Sequence, residues 1–389
     1  MQTPNLSVVG VPGRTALQPL KWIGCILCLM ILASNFWSMS RWSERRGVVD
    51  DLCYLRQAHL FQKSGIHGID TDILPEADNY FAKLTQEVGH PEWHSASGSW
   101  CHVQMAATGK RVIQYPPGTG FLLAAFPEGF QVIPLYAAST VLVLVVALIA
   151  IGLAATPALI VAATTFGAIA LYWMINPAKA SYSLAPTMAI CALAGCLTAA
   201  LFNTRSNPAR LGIALLIGLL LGASVNFRVA NLVLGAGYSV AFLIAFVRSR
   251  HVDAFLQGVA FGLAYFAGLV PTLIANAVNA GSPFSTTYGP DDTQARYFSL
   301  AITKQYLFDM QGVVVLSAAA GTLALLVLRS ARSSRETAIV IMVNLIANSV
   351  FFLSHPIYQS YYLMPVAVLS LWTLLFCILM QARNPDVGS

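Results

Sequence analysis

The chain has 389 residues, of which 57% are hydrophobic and only 10% charged, with a mean hydropathy of +0.67 and a formal net charge of +6. A water-exposed globular surface needs far more charge than this, so an ordinary soluble domain is excluded and lipid is the solvent. The positive charges are scattered over short connections between apolar runs, which reads as a membrane-topology signal and excludes nucleic-acid binding as their purpose.

Ten continuous apolar runs of spanning length are expected to cross the bilayer, at roughly 21–39, 131–153, 157–175, 184–203, 211–227, 229–248, 255–277, 311–328, 338–354 and 361–380. None alternates as a barrel strand would, and backbone groups in hydrocarbon must pair within their own segment, so helices are expected. The expected fold class is an all-α polytopic membrane protein with a large first extracytoplasmic loop carrying amphipathic helices. Its parts are a cytoplasmic segment over 1–20, a transmembrane domain over 21–380 with outer loops at 40–130 and 278–310, and a cytoplasmic tail over 381–389. The first run lacks a small-x-small exit and is expected to be retained rather than cleaved.

Arginine sets the orientation. Arg205, Arg210, Arg248, Arg250, Arg329, Arg332, Arg335 and Arg383 fall on one side, which the positive-inside rule makes cytoplasmic. Arg41, Arg45 and Arg46 oppose this by outnumbering Arg14 and Lys21, but they open a long loop, where the rule is weak. Both termini are therefore expected inside, in what reads as a bacterial inner (plasma) membrane. Ten of the sixteen acidic residues lie between 40 and 130, so function is expected on the outer face.

Within that loop, residues 50–64 place Leu52, Leu55, His59 and Leu60 at helical spacing, with Arg56 and Gln57 opposite, as in an amphipathic helix lying on the membrane surface. Gly65 and Gly68 end it. Residues 70–100 are polar and rich in turn formers; Tyr115-Pro-Pro-Gly-Thr-Gly120 then leads to a short apolar helix, Phe121 to Phe126, re-entrant or interfacial. Cys53 and Cys101 share the loop, where an oxidising exterior would let them form a disulfide or they stay as free thiols. His90-Pro-Glu-Trp-His94 with Cys101-His102 invites a metal, but the spacing is not His-Glu-x-x-His and reads as a structural loop.

Asp50 and Asp51 are the main candidates for chemistry. They either cap the start of a solvated helix or supply a general base to an acceptor hydroxyl, the neighbouring acid raising the pKa. Arg228, flanked by Asn226 and Asn231 at the end of the fifth run, either snorkels to water or clamps a phosphate bidentately. His355-Pro-Ile-Tyr358-Gln-Ser-Tyr361-Tyr362 is either an ordinary interfacial aromatic belt or a surface for stacking a sugar.

Together these segments resemble the GT-C superfamily of polytopic glycosyltransferases, which includes the protein mannosyltransferases and the aminoarabinose transferases of lipid A. The resemblance rests on Asp51 through Leu60, on Tyr115-Pro-Pro-Gly118 running into Phe121-Leu-Leu-Ala124, on Gly222 to Asn231 around Arg228, on Asn276 through Tyr288 with Gly281-Ser-Pro, and on Tyr361-Tyr-Leu-Met-Pro365. It implies transfer of a sugar from a polyprenyl-phosphate donor to an envelope glycan, lipid or protein at the outer face. Asp50 or Asp51 would be the catalytic carboxylate, and Arg228 would balance the leaving phosphate. The arginine usual before the closing aromatic run is replaced by Gln359-Ser360, leaving His355 as the nearest cation for the phosphate. Tyr115, Asn226, Asn231, Tyr288, Tyr358 and Tyr361 would line the donor and acceptor groove. No cofactor is expected, though a divalent metal is not excluded. A lipid or solute transporter or flippase, or an inactive GT-C-like scaffold, are the alternatives.

Overall fold

The computed structural model describes residues 17–44, 49–73, 78–94, 101–289, 297–328, 332–355 and 357–383. Arg14, Arg45, Arg46, Arg296 and Arg329, most of the 1–20 segment and most of the 381–389 tail lie outside the described residues.

Among the described residues ten helices are long and apolar enough to cross a membrane, so the chain is an integral membrane protein of all-α type. In chain order the elements are α1 (Gln18–Met39), α2 (Val49–Ser64), α3 (Tyr80–Glu87), strands β1 (His102–Gln104) and β2 (Arg111–Ile113), α4 (Gly118–Leu123), α5 (Val132–Leu153), α6 (Pro157–Ile175), α7 (Leu184–Asn203), α8 (Asn207–Val225), α9 (Ala236–Ser249), α10 (Val252–Ala280), α11 (Leu300–Phe308), α12 (Met310–Leu328), α13 (Arg332–Leu353) and α14 (Met364–Arg383). A 3-10 turn over Val229–Gly235 precedes α9 and completes the sixth span.

Local chemistry sets the helix ends. Pro157 opens α6 behind Thr156, whose hydroxyl accepts from Leu159 N at 3.3 Å, and Gly281 (φ +82°) ends α10 in the left-handed conformation. At α5 the cap comes from afar. The Glu44 carboxylate accepts from the free N–H groups of Gln131, Val132 and Ile133 at 3.1, 2.6 and 3.2 Å, where the helix dipole also favours a negative charge.

Hydrocarbon offers no hydrophobic drive between helices, so close approach and polar contacts hold the bundle. Gly222 of α8 faces the Tyr265 backbone of α10, and a Cβ at Gly268 would come within 2.6 Å of Ala223 N. Thr198 and Tyr238 hydroxyls meet at 2.6 Å, and Asn344 Oδ1 accepts Gly237 N at 2.6 Å. α14 is buried almost throughout, at the centre, whereas α1 sits at the rim with Trp22, Ile23, Met30 and Trp37 turned outward to lipid.

Alternating passage brings the described residues of 40–131, 176–183, 226–228, 281–299 and 354–363 to one face. There the first loop folds into a cap that the sequence pattern resolves only in part. α3 lies within 70–100, where only turn-rich polar chain was expected; the antiparallel hairpin β1–β2, with His102 opposite Ile113, follows that stretch and was unforeseen, as was α11 within 278–310. The short apolar helix starts three residues earlier than expected, at Gly118. The cap is anchored on the end of α10, where Asn279 accepts Thr71 N at 3.0 Å and donates to Ile69 O at 2.9 Å, and Lys110 pairs with Asp70 at 2.6 Å.

The surface-lying α2 is corrected by the structure. Arg56 is 0% exposed and Gln57 2%, so the side assigned to water is buried. Arg56 donates to Thr71 O (2.9 Å), Asp72 O (3.0 Å) and His102 Nε2 (3.3 Å), and this ring of acceptors draws the guanidinium inward.

Cys53 of α2 and Cys101 form a disulfide, with Cα atoms 6.4 Å apart. The bridge closes a loop between two points separated by 48 residues, so Cys53→Ala is expected to cost the cap about 2–4 kcal/mol. Thermal unfolding of the purified protein in detergent, compared with Cys101→Ala and the double variant, checks this: all three should fall together.

Candidate active site

Asp50 and Asp51 occupy the first turn of α2, one residue apart, and a helix therefore points them in different directions. Asp51 is fully buried and accepts Tyr182 N at 3.2 Å, bracing the α6–α7 connection. Asp50 is half-buried and is turned about 100° from Asp51 around the helix axis. Tyr115 donates its hydroxyl to Asp50 Oδ1, and Gln114 Nε2 donates to the Tyr115 hydroxyl at 3.3 Å. Thr287 holds the Gln114 carbonyl at 2.9 Å, so a chain of hydrogen bonds from the α10–α11 connection fixes the carboxylate.

The Tyr-Pro-Pro-Gly segment explains this placement. Tyr115 reaches Asp50, the two prolines turn the chain into α4, and Gly118 N donates to Asn226 O at 2.7 Å. A Cβ on Gly118 would fall 2.7 Å from Asn226 Cβ and O, so only glycine permits the approach. That contact sets α4 directly beside the α8 terminus, two residues before Arg228.

Arg228 lies in the break between α8 and the 3-10 turn. Its guanidinium carbon sits 4.9 Å from the Tyr361 ring centroid and 5.0 Å from that of Tyr362, a double cation–π contact. Nη1 is buried and has no hydrogen-bond partner among the described residues. No ion pair joins Arg228 to Asp50 among the described residues, yet the two feel each other electrostatically. Burial raises the Asp50 pKa above the ordinary carboxyl value, and the Tyr115 hydrogen bond and the Arg228 charge partly oppose it.

Aromatic side chains fill the space around this pair. Tyr54, one turn along α2 from Asp50, lies 5.1 Å from the Tyr115 ring, and Tyr288 lies 6.3 Å from Tyr115. Burial drives the hydroxyl pKa values of Tyr54 and Tyr115 well above the phenol range, with the Asp50 charge adding to it, so both stay neutral donors.

Of the residues proposed from sequence, Asp50, Arg228, Tyr115, Tyr288 and Tyr361 come together. Tyr358 is at the edge, its ring 5.1 Å from Tyr306, which also senses Arg228. Four have their side chains engaged with other parts of the fold. His355 turns back onto its own helix end, with Nδ1 3.2 Å from Phe351 O and its ring against Phe351, because it follows α13 within one turn. Asn226 spends its side-chain amide on α10: it donates to Gly268 O at 2.7 Å and accepts Thr272 N at 2.9 Å, the two partners of one helical hydrogen bond beside Pro271. Asn231 donates to Thr187 Oγ1 (3.1 Å) and Ser224 O (2.8 Å) and is 3% exposed. Asp51 is a brace, as above.

The sequence pattern did not single out Tyr54, and it named Tyr362 only as part of the aromatic 355–362 segment. The four-residue spacing of Tyr54 from Asp50 was a usable signal, since i and i+4 share a helix face. For Tyr362 only the fold shows that two consecutive tyrosines flank one guanidinium.

Among the described residues the cluster with metal-ligand spacing is Cys53, Cys101 and His102. Both sulfurs are bonded to each other, and Arg56, which can only donate, requires the lone pair of His102 on Nε2. The ring hydrogen is then on Nδ1, 3.8 Å from each sulfur, which leaves that nitrogen no lone pair for a metal. Burial and the neighbouring Arg56 and Arg111 charges push the His102 pKa well below the usual imidazole value, keeping it neutral.

No protein-family model matches the chain, and no curated protein matches it either.

Proposed function

We propose that the chain is a membrane glycosyltransferase of GT-C type, moving a sugar from a polyprenyl-phosphate donor to a hydroxyl of an envelope acceptor at the outer face of the membrane. The observation that carries this reading is the Asp50–Arg228 pair: a carboxylate and a guanidinium held in one tyrosine-lined cluster, coupled through space but unpaired, with one guanidinium nitrogen unsatisfied. In this reading the arginine would take a phosphate and the carboxylate an acceptor hydroxyl.

In this mechanism the acceptor oxygen attacks the anomeric carbon while Asp50 takes its proton. The bond from that carbon to the phosphate oxygen breaks, and its electron pair leaves with the polyprenyl phosphate, whose charge Arg228 balances in a partly dehydrated setting. Tyr115 fixes the carboxylate rotamer, and the remaining tyrosines offer flat faces and neutral donors to the sugar. Both termini lie on the cytoplasmic side in this reading, following the arginine-rich connections.

Mass spectrometry of envelope glycolipids and glycans from a deletion strain, complemented with wild type or Asp50→Asn, tests the proposal. A glycan unit lost on deletion and restored by wild type alone is the expected result. Substrate uptake by vesicles with no covalent product would replace it with transport.

Tyr115→Phe removes the hydrogen bond that lowers the Asp50 pKa. The base must be ionised, so the acid limb of the transfer rate should move to higher pH, with activity at high pH reduced less. A pH–rate profile with the acid limb unmoved would remove Tyr115 from this role.

A further inference from the structure

His59 lies on α2 nine residues beyond Asp50, away from the tyrosine cluster, and both of its ring nitrogens meet carboxylates from other segments. Nε2 is 2.9 Å from Asp78 Oδ2, and Nδ1 is 3.3 Å from Glu128 Oε2, in the connection from α4 to α5. The ring stacks on Tyr80 at 3.9 Å between centroids, with planes 3° apart. Lys63, one turn on, donates to Asp78 Oδ2 at 2.6 Å, and Tyr80 N donates to Asp78 Oδ1 at 3.2 Å. These are the titratable groups facing His59 among the described residues: Lys63 on its own helix, Asp78 and Tyr80 at the start of α3, and Glu128 before α5.

A neutral imidazole carries one N–H, an imidazolium two. With carboxylates at both nitrogens, the neutral ring can donate to one and must turn its lone pair toward the other. Lys63 and His59 hold the Asp78 carboxyl far below the usual range, so Asp78 stays an anion and keeps the shorter hydrogen bond. Deprotonation of the ring therefore breaks the bond to Glu128.

We propose that His59 is a proton-controlled latch that ties α2 to the 124–130 connection when its ring is protonated and releases Glu128 when it is neutral. Gln62, on the same helix, donates to Ala124 O at 3.2 Å and Phe126 O at 2.6 Å, so the latch closes on a joint already positioned to receive it. α2 carries Asp50, and α4 continues from the Tyr115 segment. The regulatory consequence rests on the function proposed above: the latch stiffens the frame that sets the Tyr115–Asp50 contact, and it closes on acidification of the outer face.

The latch itself is tested without substrate. Hydrogen exchange of the 124–130 amides is followed in detergent-solubilised wild type, His59→Gln and Glu128→Gln at about pH 5.5 and about pH 8. After correction for intrinsic exchange, wild type should lose about 2- to 5-fold in protection on going to pH 8, the factor expected for a partly exposed ion pair. Both variants should show the weaker, pH-independent protection at each pH. Equal pH dependence in all three proteins, or none in wild type, overturns the latch. Because no transfer is measured, that outcome leaves the glycosyltransferase reading untouched, and inactivity of wild type leaves the latch untouched.

Discussion

Asp50→Asn is expected to abolish sugar transfer while leaving the protein at least as heat-stable as wild type. The sign follows from the direction of the carboxyl shift. In the folded protein the Asp50 pKa is raised, chiefly by burial, so stability linked to this group is complete below the carboxyl's ordinary value, about 3.9, and declines as pH rises through the folded value. At neutral pH the ionised Asp50 therefore costs the fold something, and asparagine, which cannot ionise, removes that cost. Such a trade of stability for a charged group is what a working base in a partly dehydrated site requires.

Asp51→Ala should behave in the opposite way. The Tyr182 N–H loses its buried acceptor, which costs about 1–3 kcal/mol, and the α6–α7 connection loosens. Melting curves of the two variants beside their transfer rates separate the roles. If Asp50→Asn transfers sugar at the wild-type rate, or if Asp51→Ala is the inactive variant of undiminished stability, the assignment of the base is wrong.

The second large effect is expected at Arg228. Replacing it with methionine keeps an apolar stem against Tyr361 and Tyr362 but removes the charge proposed to balance the leaving phosphate. Loss of a positioned electrostatic partner of this kind typically costs about 10²–10³ in rate. Transfer by Arg228→Met should fall by that order, with most of the loss in kcat if the charge acts on the leaving group and in KM if it only holds the donor. Lysine should rescue poorly, because a compact ammonium lacks the planar fork that contacts both tyrosine rings and still offers two parallel donors. Full activity in the methionine variant would remove Arg228 from the chemistry. His355→Gln makes the useful contrast, since its ring is occupied with Phe351 and it should transfer normally.

What could be read from the chain alone was governed by periodicity and solvent. Hydrocarbon forces every spanning segment to be long, apolar and internally hydrogen-bonded, so α1, α5–α10 and α12–α14 announce themselves, most within a few residues of their ends, the starts of α9 and α13 less closely. Alternating passage through the bilayer then places the Asp50, Arg228, Tyr288 and Tyr361 neighbourhoods on one face, before any coordinates exist. The disulfide partners could be named as the two cysteines outside the spans, although the pairing itself needed the geometry.

Tertiary structure alone decided how polar side chains in that face divide their work. Asp50 and Asp51, Asn226 and Arg228, and His355 and Tyr361 are near neighbours in sequence and similar in local character. Their roles separate because each backbone direction meets a different partner: Tyr115 or Tyr182 N, the α10 ladder or an aromatic pair, Phe351 or a guanidinium. The buried face of α2 was unreadable for the same reason. A hydrophobic pattern assigns Arg56 to water, and only a cap that folds three acceptors around it reverses the sign of that choice. Hydropathy is a property of one segment facing a uniform solvent, whereas a satisfied buried charge is a property of several segments meeting at a point.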